Sequence, residues 1–349
     1  MDNNKRFQEL DALRGLAALA VVLFHYTTRY DELYGHAKMN YLDISHGHLG
    51  VNLFFIISGF VIFMTITKTK EANIFAKKRI IRLYPAYIAS VIITFMTVAL
   101  FGLPGREVSL IDALWNLTML QSFIPNIEFV DGAYWSLGVE ITFYILVGVV
   151  LYFGQKKKIV LLSLIWLIGS GIIESLSILF PHRLTSILAS YSITDYTHLF
   201  VAGIMFYLVK VSGQKRHYLI LALCLIYDYL FMDIYSNFFV TLFFFIFYLL
   251  IKEKMVFINI RPLVFLGTIS YSFYLVHQNI GYIVINEMEE RGLLNEIYLV
   301  VPILLTIGIA TLLTYYVEKP IVKYFSIRMK DKRIKKEKKI NIGRNRTTI

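Results

Sequence analysis

The sequence predicts an all-α, polytopic membrane protein of about ten transmembrane helices. Three observations carry that prediction. The chain of 349 residues is 57% hydrophobic and only 17% charged, with a mean hydropathy of +0.62, whereas a soluble domain carries about a quarter charged residues. Its apolar residues fall in long blocks rather than in short alternating runs. Its Lys and Arg residues recur in every second connection.

Taken in order, the spans read as 10–28, 49–66, 85–102, 133–153, 159–179, 196–211, 218–233, 236–251, 264–286 and 297–317. The first is read as a retained span and not a cleaved leader. Lys5 and Arg6 precede it, but the block is long, holds charge, and offers no small-x-small cleavage signal. Residues 110–124, "LIDALWNLTMLQSFI", are apolar but short, and read as an interfacial or re-entrant helix. With the N-terminus and C-terminus both inside, the inner segments hold 17 Lys and Arg against 5 outside, even without the residues after 317. An eleventh span would break that positive-inside pattern.

The same count explains the net charge of +11. It arises from inner loops and from the tail, so it argues for anionic lipid headgroups and not for nucleic acid. Residues 1–326 read as one transmembrane domain and 327–349 as a basic, disordered cytoplasmic tail. The single cysteine, Cys224, permits no intrachain disulfide and no cysteine metal cluster. His46 and His48 share an outer loop without a nearby carboxylate, a poor metal site, so no metal is expected. No internal repeat, heptad pattern or appended soluble domain is visible.

Ionisable groups inside membrane spans are costly, and each is a candidate for function. Arg14 and His25 lie eleven residues apart in the first span. On an α-helix that spacing puts them about 20° apart around the axis and ~16 Å apart along it. Asp11 falls within about 40° of the His25 direction. Depth sorts the remaining groups. His25 lies within a turn of the outer surface. Glu140 lies roughly 10 Å below the outer face, and His277 lies past the midplane. Ser58 and Gly59 sit near mid-depth. Arg14, with Arg79 and Arg82 of "AKKRIIRLYP", lies on the inner side. A cationic inner end suits phosphates, and imidazole with carboxylate at the outer end suits acid–base chemistry. A long donor with a phosphorylated head fits between them.

Seven blocks carry a family resemblance: "LDALRGLAALAVVLFHY" (10–26), "GVNLFFIISGFVI" (50–62), "FAKKRIIRLYPAY" (75–87), "YWSLGVEITFY" (134–144), "LFVAGIMFYL" (199–208), "SYSFYLVHQNI" (270–280) and "YYVEKPIVKYF" (315–325). In order and content the chain resembles the membrane acyltransferase 3 family, which includes bacterial O-acetyltransferases of surface polysaccharides. The resemblance implies a multi-pass protein of the bacterial cytoplasmic membrane. It implies an acyl-CoA donor, commonly acetyl-CoA, arriving from the cytoplasm as a substrate and not a bound cofactor. It implies an acceptor hydroxyl on a carbohydrate such as an exopolysaccharide or O-antigen. Longer members carry an extracytoplasmic esterase-like domain, so a separate partner for a second step stays open here.

On this reading His25 is the general base toward the acceptor hydroxyl, a poor nucleophile that needs one. An acyl-histidine intermediate is the alternative. Arg14 orients the site or holds the donor, with Asp11 as its partner. Arg79 and Arg82 bind the CoA phosphates, where guanidinium forks suit oxyanions. Glu140 orients His25 or holds the acceptor. Trp135, His277 and Ser58 are assigned to substrate: a ring to stack on a sugar at the outer interface, a second imidazole, and a hydroxyl able to donate to an oxyanion. Ser58 has no Gly-x-Ser-x-Gly elbow and is not read as a nucleophile. Glu318 is read as a structural helix-end carboxylate. Buried Arg, His and Glu would equally serve a proton-coupled transporter or flippase, though no inverted repeat supports it. A channel or scaffold would not need this motif set.

Overall fold

The computed structural model describes residues 7–36, 42–69, 71–293 and 295–329. Among these the regular structure is helical throughout. In chain order the helices are α1 (Gln8–Phe24), α2 (Gly50–Thr67), α3 (Ala72–Phe101), α4 (Leu110–Asn116), α5 (Trp135–Tyr152), α6 (Ile159–Leu179), α7 (Arg183–Ser192), α8 (Thr194–Ser212), α9 (Lys215–Phe231), α10 (Ile234–Ile251), α11 (Arg261–Glu290) and α12 (Val300–Leu312). α1 runs on through a π-helical segment, His25–Arg29, into the turn Tyr30–Tyr34, and α12 through a second π segment, Leu313–Glu318.

A helix forms over each of the ten expected spans, and among the described residues eight helical stretches are long and apolar enough to cross a membrane. Two fall short for different reasons. α9 has 17 residues. α11 is long, but its middle carries Ser270, Ser272, His277, Gln278 and Asn279, all buried. Enclosed by other helices, it does not need an apolar surface.

Three boundaries differ from the sequence expectation, while 110–124 agrees with it. The third span was placed at 85–102, after a charged loop, yet α3 starts at Ala72 and runs through Pro85. Its basic residues thus form helical turns, with Lys77 and Lys78 exposed and Arg79 and Arg82 partly buried. Residues 110–124 hold only the seven-residue α4 and the turn Gln121–Phe123, too short to cross. Ser109 caps α4 by accepting from Asp112 N at 3.1 Å. Asn116 then ties it back, donating to Glu128 O at 2.7 Å and accepting from Val130 N at 3.1 Å. The connection before 196 was read as loop, but α7 forms there, capped by His182 and set off from α8 by Ile193 at φ 50°. The final helix passes the expected boundary at 326 and continues to Met329. The rest of the expected tail, 330–349, lies outside the described residues.

Small residues decide how the bundle closes, because lipid supplies little hydrophobic drive between helices and close backbone approach supplies packing instead. α1 packs along α11. A Cβ on Gly15 would lie 2.6 Å from Leu263 O, and one on Gly267 would lie 1.7 Å from Asp11 O. α2 packs along α8 in the same manner. A Cβ on Gly59 would lie 2.3 Å from Phe200 O, and one on Gly203 would lie 2.1 Å from Ile56 O. These two pairs bring the polar faces of α1, α2 and α11 toward one another.

The obstructing atoms are backbone, so even alanine must move a helix. Gly203→Ala is expected to cost about 1–3 kcal/mol as overpacking. Gly308→Ala, whose Cβ would meet nothing within 4 Å, is expected to be neutral or stabilising by up to about 1 kcal/mol through helix propensity. Thermal melts of the two purified variants, side by side in one detergent, check the sign of each.

Candidate active site

Two polar assemblies sit along α1, one around Arg14 and one around His25. At the first, α1, α2, α3, α5 and α11 enclose a cavity of about 790 Å³, counted to its open mouth. Arg14, Ser58, Arg79, Arg82, Glu140 and Tyr144 line it, with Ser136, Ser270, Tyr271 and Tyr274. Ser58 donates to Glu140 Oε1 at 3.2 Å, and the Tyr144 hydroxyl donates to the same oxygen. The tyrosine lies one turn along α5, the spacing that stacks two side chains on one helix face. Arg14 lies within electrostatic reach of Glu140, Asp11 and Arg82.

The three arginines are not equivalent. Arg82 forms an ion pair with Glu318 and lies 5.8 Å from the Tyr271 ring. Glu318 is buried, so the structural role expected for it is met by a definite partner. Arg79 packs between the rings of Phe75 and Tyr144, at 5.6 and 5.8 Å. Its closest polar partner is Thr65 Oγ1 at 3.5 Å, and its buried Nε has no hydrogen-bond partner. Three guanidinium groups and one carboxylate, Glu140, line the cavity, which keeps a cationic wall although Asp11 and Glu318 offset Arg14 and Arg82 from behind it. That charge and the free Nε suit an anion with several oxygens.

The second assembly pairs α1 with α11. His277 Nε2 lies 3.1 Å from His25 Nδ1. The hydrogen-bond network assigns the protons. His277 Nδ1 lies 2.7 Å from Tyr274 O, and a carbonyl only accepts, so Nδ1 carries hydrogen. Neutral His277 then presents a bare Nε2, and His25 Nδ1–H donates to it. The same N–H faces Val21 O at 2.9 Å. His25 Nε2 is left unprotonated, the form a general base requires. The Tyr26 hydroxyl donates to His277 O at 2.8 Å and fixes the two backbones. The π segment begins at His25 itself, and such segments recur at functional sites.

This arrangement revises three expectations. Glu140 does not orient His25: it faces α2 and the arginine cavity, and His277 is the partner of His25. His277 is completely buried and spends both ring nitrogens within the protein, on Tyr274 O and His25. Trp135 stands one layer outside the cavity, its ring 5.5 Å from Tyr196 and 6.5 Å from Phe55. Its neighbour Ser136 lines the cavity in its place. Ser58 does line it, but as a donor to Glu140. Arg14, Arg79 and Arg82 come together as expected. In the outer loop His46 packs edge-on against Tyr235 at 4.2 Å, and His48 Nδ1 meets Ser45 O at 2.8 Å. Among the described residues no three His, Cys, Asp or Glu side chains converge as a metal site would need.

Sequence reading missed the tyrosines of the cavity and the residue that holds the turn before α5. Tyr144, Tyr271 and Tyr274 were hidden among 24 tyrosines, most of which suit interfacial belts. Asp131 lies outside any apolar block and gave no signal. It is buried, and it accepts from Ala133 N at 2.9 Å and from Asn279 N at 3.0 Å. Burial pushes its carboxyl up to about 7, against those two bonds.

Comparison with known proteins agrees with the order of the sequence blocks. Residues 7–317 match the family described as acyltransferase domain, Acyl_transf_3. Acyltransferase MdmB of Streptomyces mycarofaciens is 29% identical over 171 residues, 46% of this chain and 43% of that protein. Protein 2 in picA locus of Rhizobium radiobacter is 33% identical over 108 residues, 29% of this chain and 51% of that protein. The matched segments thus span about half or less of these relatives' lengths. No solved structure matches. With residues 7–317 matched, the chain belongs to the acyltransferase 3 family, and its apolar helices are those of a multi-pass membrane protein.

Proposed function

We propose that the protein moves an acyl group, an acetyl group in the simplest case, from acyl-CoA on the cytoplasmic side to a carbohydrate hydroxyl on the other side of the bacterial cytoplasmic membrane. The observation that carries the proposal is the placement of His25 Nδ1 against both His277 Nε2 and Val21 O, which assigns the proton to Nδ1 and leaves Nε2 bare. His25 removes the proton as the acceptor oxygen attacks the thioester carbonyl, and the CoA thiolate leaves with the electron pair. Arg14 and Arg79 bind phosphate oxygens of the donor, and Arg82 does so while paired to Glu318. Glu140 holds Ser58 and Tyr144 in the cavity wall.

The proposal includes ten membrane crossings with both termini inside, because every inner loop is then the basic one. The thioester must accordingly reach past the midplane. The acceptor is an exopolysaccharide, O-antigen or similar glycan. CoA is a substrate that comes and goes, and a separate extracytoplasmic protein takes any second step.

His25→Ala is expected to abolish transfer while the protein still inserts and still binds donor. Near-normal transfer by a folded variant rejects His25 as the base. His277→Gln is expected to lower kcat more than acceptor KM, because it disturbs the proton on His25 without touching substrate.

Donor binding separates the arginines. Losing a charged hydrogen bond costs ~1.5–3 kcal/mol, or one to two decades in affinity. Arg79→Gln and Arg14→Gln are each expected to raise the CoA dissociation constant by that factor in calorimetry. Arg82→Gln alone would strand Glu318, a buried carboxylate, so its effect is read in Arg82→Gln/Glu318→Gln. Unchanged CoA affinity in all of these variants rejects the cavity as the donor site.

Sidedness is tested in reconstituted vesicles. Acyl-CoA goes on the side where the C-terminal tail is accessible, and an impermeant acceptor on the other. Acylation is expected only in that arrangement. Movement of acceptor across the membrane without covalent change would point instead to a carrier.

A further inference from the structure

Near His25, the Tyr282 hydroxyl and Gln278 Oε1 are buried without a well-formed hydrogen bond, the two side chains lying against each other. Both belong to α11, four residues apart, Gln278 directly after His277 and Tyr282 one turn further, and so share a face. A buried polar group left unpaired costs free energy and calls for an explanation such as an absent ligand. The Tyr282 ring lies 6.4 Å from the His25 ring. Above them comes the loop that follows α3. Pro104 O accepts from the Tyr34 hydroxyl at 3.1 Å, and the Tyr34 ring lies 5.9 Å from Tyr282. That docking brings in Arg106. A Cβ placed on Gly132 would fall 2.9 Å from Gln278 Nε2 and 3.3 Å from Arg106 Nη1, so amide and guanidinium converge on one small space that glycine leaves open.

Arg106 forms no ion pair among the described residues, though Asp131 lies within its electrostatic reach and it bonds the Tyr34 hydroxyl. Glu107 turns its carboxylate to the backbone N–H groups of Leu103 and Arg106, at 3.3 and 3.2 Å. Asp131 spends its two oxygens on Ala133 N and Asn279 N. Arg29, the other nearby cation, is paired with Glu32 at 2.6 Å. Arg106 and His25 are both partly exposed, so one molecule can meet both from outside.

We infer that Arg106, Gln278 and Tyr282 form an acceptor subsite for an acidic saccharide. A carboxylate of the glycan lies on Arg106, and Gln278 and Tyr282 bond the sugar whose hydroxyl faces His25 Nε2. A single guanidinium, already partly balanced by Asp131, suits a monoanionic carboxylate of the uronic-acid kind better than a phosphate dianion. This rests on the reading of His25 as the base toward a carbohydrate. It adds a charge requirement on the acceptor that His25 itself does not impose.

The test uses a matched pair of probes. One is a hexasaccharide of alternating glucuronic acid and N-acetylglucosamine; the other is the same oligosaccharide after reduction of its carboxyl groups. The full-length protein in vesicles receives labelled acetyl-CoA on the tail-accessible side. Wild type is expected to favour the acidic probe at least tenfold in kcat/KM, the scale of one charged hydrogen bond, with the difference in acceptor KM. In Arg106→Gln the ratio is expected to fall to within twofold. Gly132→Ala, which pushes a methyl group between Gln278 and Arg106, provides a second variant and is expected to reduce the same ratio. Equal use of both probes by wild type, or a preference retained in Arg106→Gln, overturns the acidic subsite and leaves the acyltransferase reading standing. Acetylation of neither probe overturns the carbohydrate-acceptor reading, and the subsite falls with it.

Discussion

Gly267 has no room for a side chain, because α1 passes so close that a Cβ would overlap Asp11 O. Gly15 meets α11 from the other side at the same crossing. From this crossing the two helices run on in parallel. His25 lies ten residues beyond Gly15, and His277 ten residues beyond Gly267. At a common rise of 1.5 Å per residue both imidazoles arrive ~15 Å further along, level with each other. The histidine pair, the Tyr26 bond to His277 O and the bare nitrogen of His25 all depend on that shared origin. A bulkier residue at either glycine would splay the helices at one end and pull the imidazoles apart at the other.

Much of this was legible in the sequence because hydrocarbon makes polarity expensive. Each long apolar block became a helix, and Arg14, Arg79 and Arg82 met where their depth and charge suggested. The spacing of Arg14 and His25 placed both on one stripe of α1. What spacing cannot supply is the partner on another helix. Glu140 and His277 had similar depth and suitable chemistry, and a single sequence holds no term that decides which of them meets His25. The deciding fact is a pair of glycines more than two hundred residues apart. The charged run before residue 85 misled in another way. With the span drawn from 85, about three and a half turns of α3 were left out, although Pro85 gives up only one donor and the helix runs through it.

The polar groups divide the protein by task. At one end, arginines, tyrosines and a carboxylate enclose space and hold charge. At the other, two imidazoles and a backbone carbonyl settle the position of one proton. Tyr274 joins the two ends. Its ring lines the cavity, its hydroxyl bonds Ser136 and Ala133 O at 2.8 and 2.9 Å, and its carbonyl takes the proton of His277. A change in how the cavity is filled therefore has a short covalent route to the imidazole pair, through one residue of α11.

The π segment of α1 sets the azimuth of everything after it. A π turn holds one residue more than the α turn it replaces, which offsets the following residues by about 100° around the axis. The offset begins at His25, so the stripe through Arg14 stays true up to that residue and not beyond. Tyr26 and Tyr30 are thereby swung onto α11, where their hydroxyls reach His277 O and Asn286 Oδ1. In an uninterrupted α-helix they would point elsewhere. The first helix is in effect two cylinders joined at a twist, one phased to the arginine cavity and one to α11 beyond the imidazole pair, with His25 at the joint.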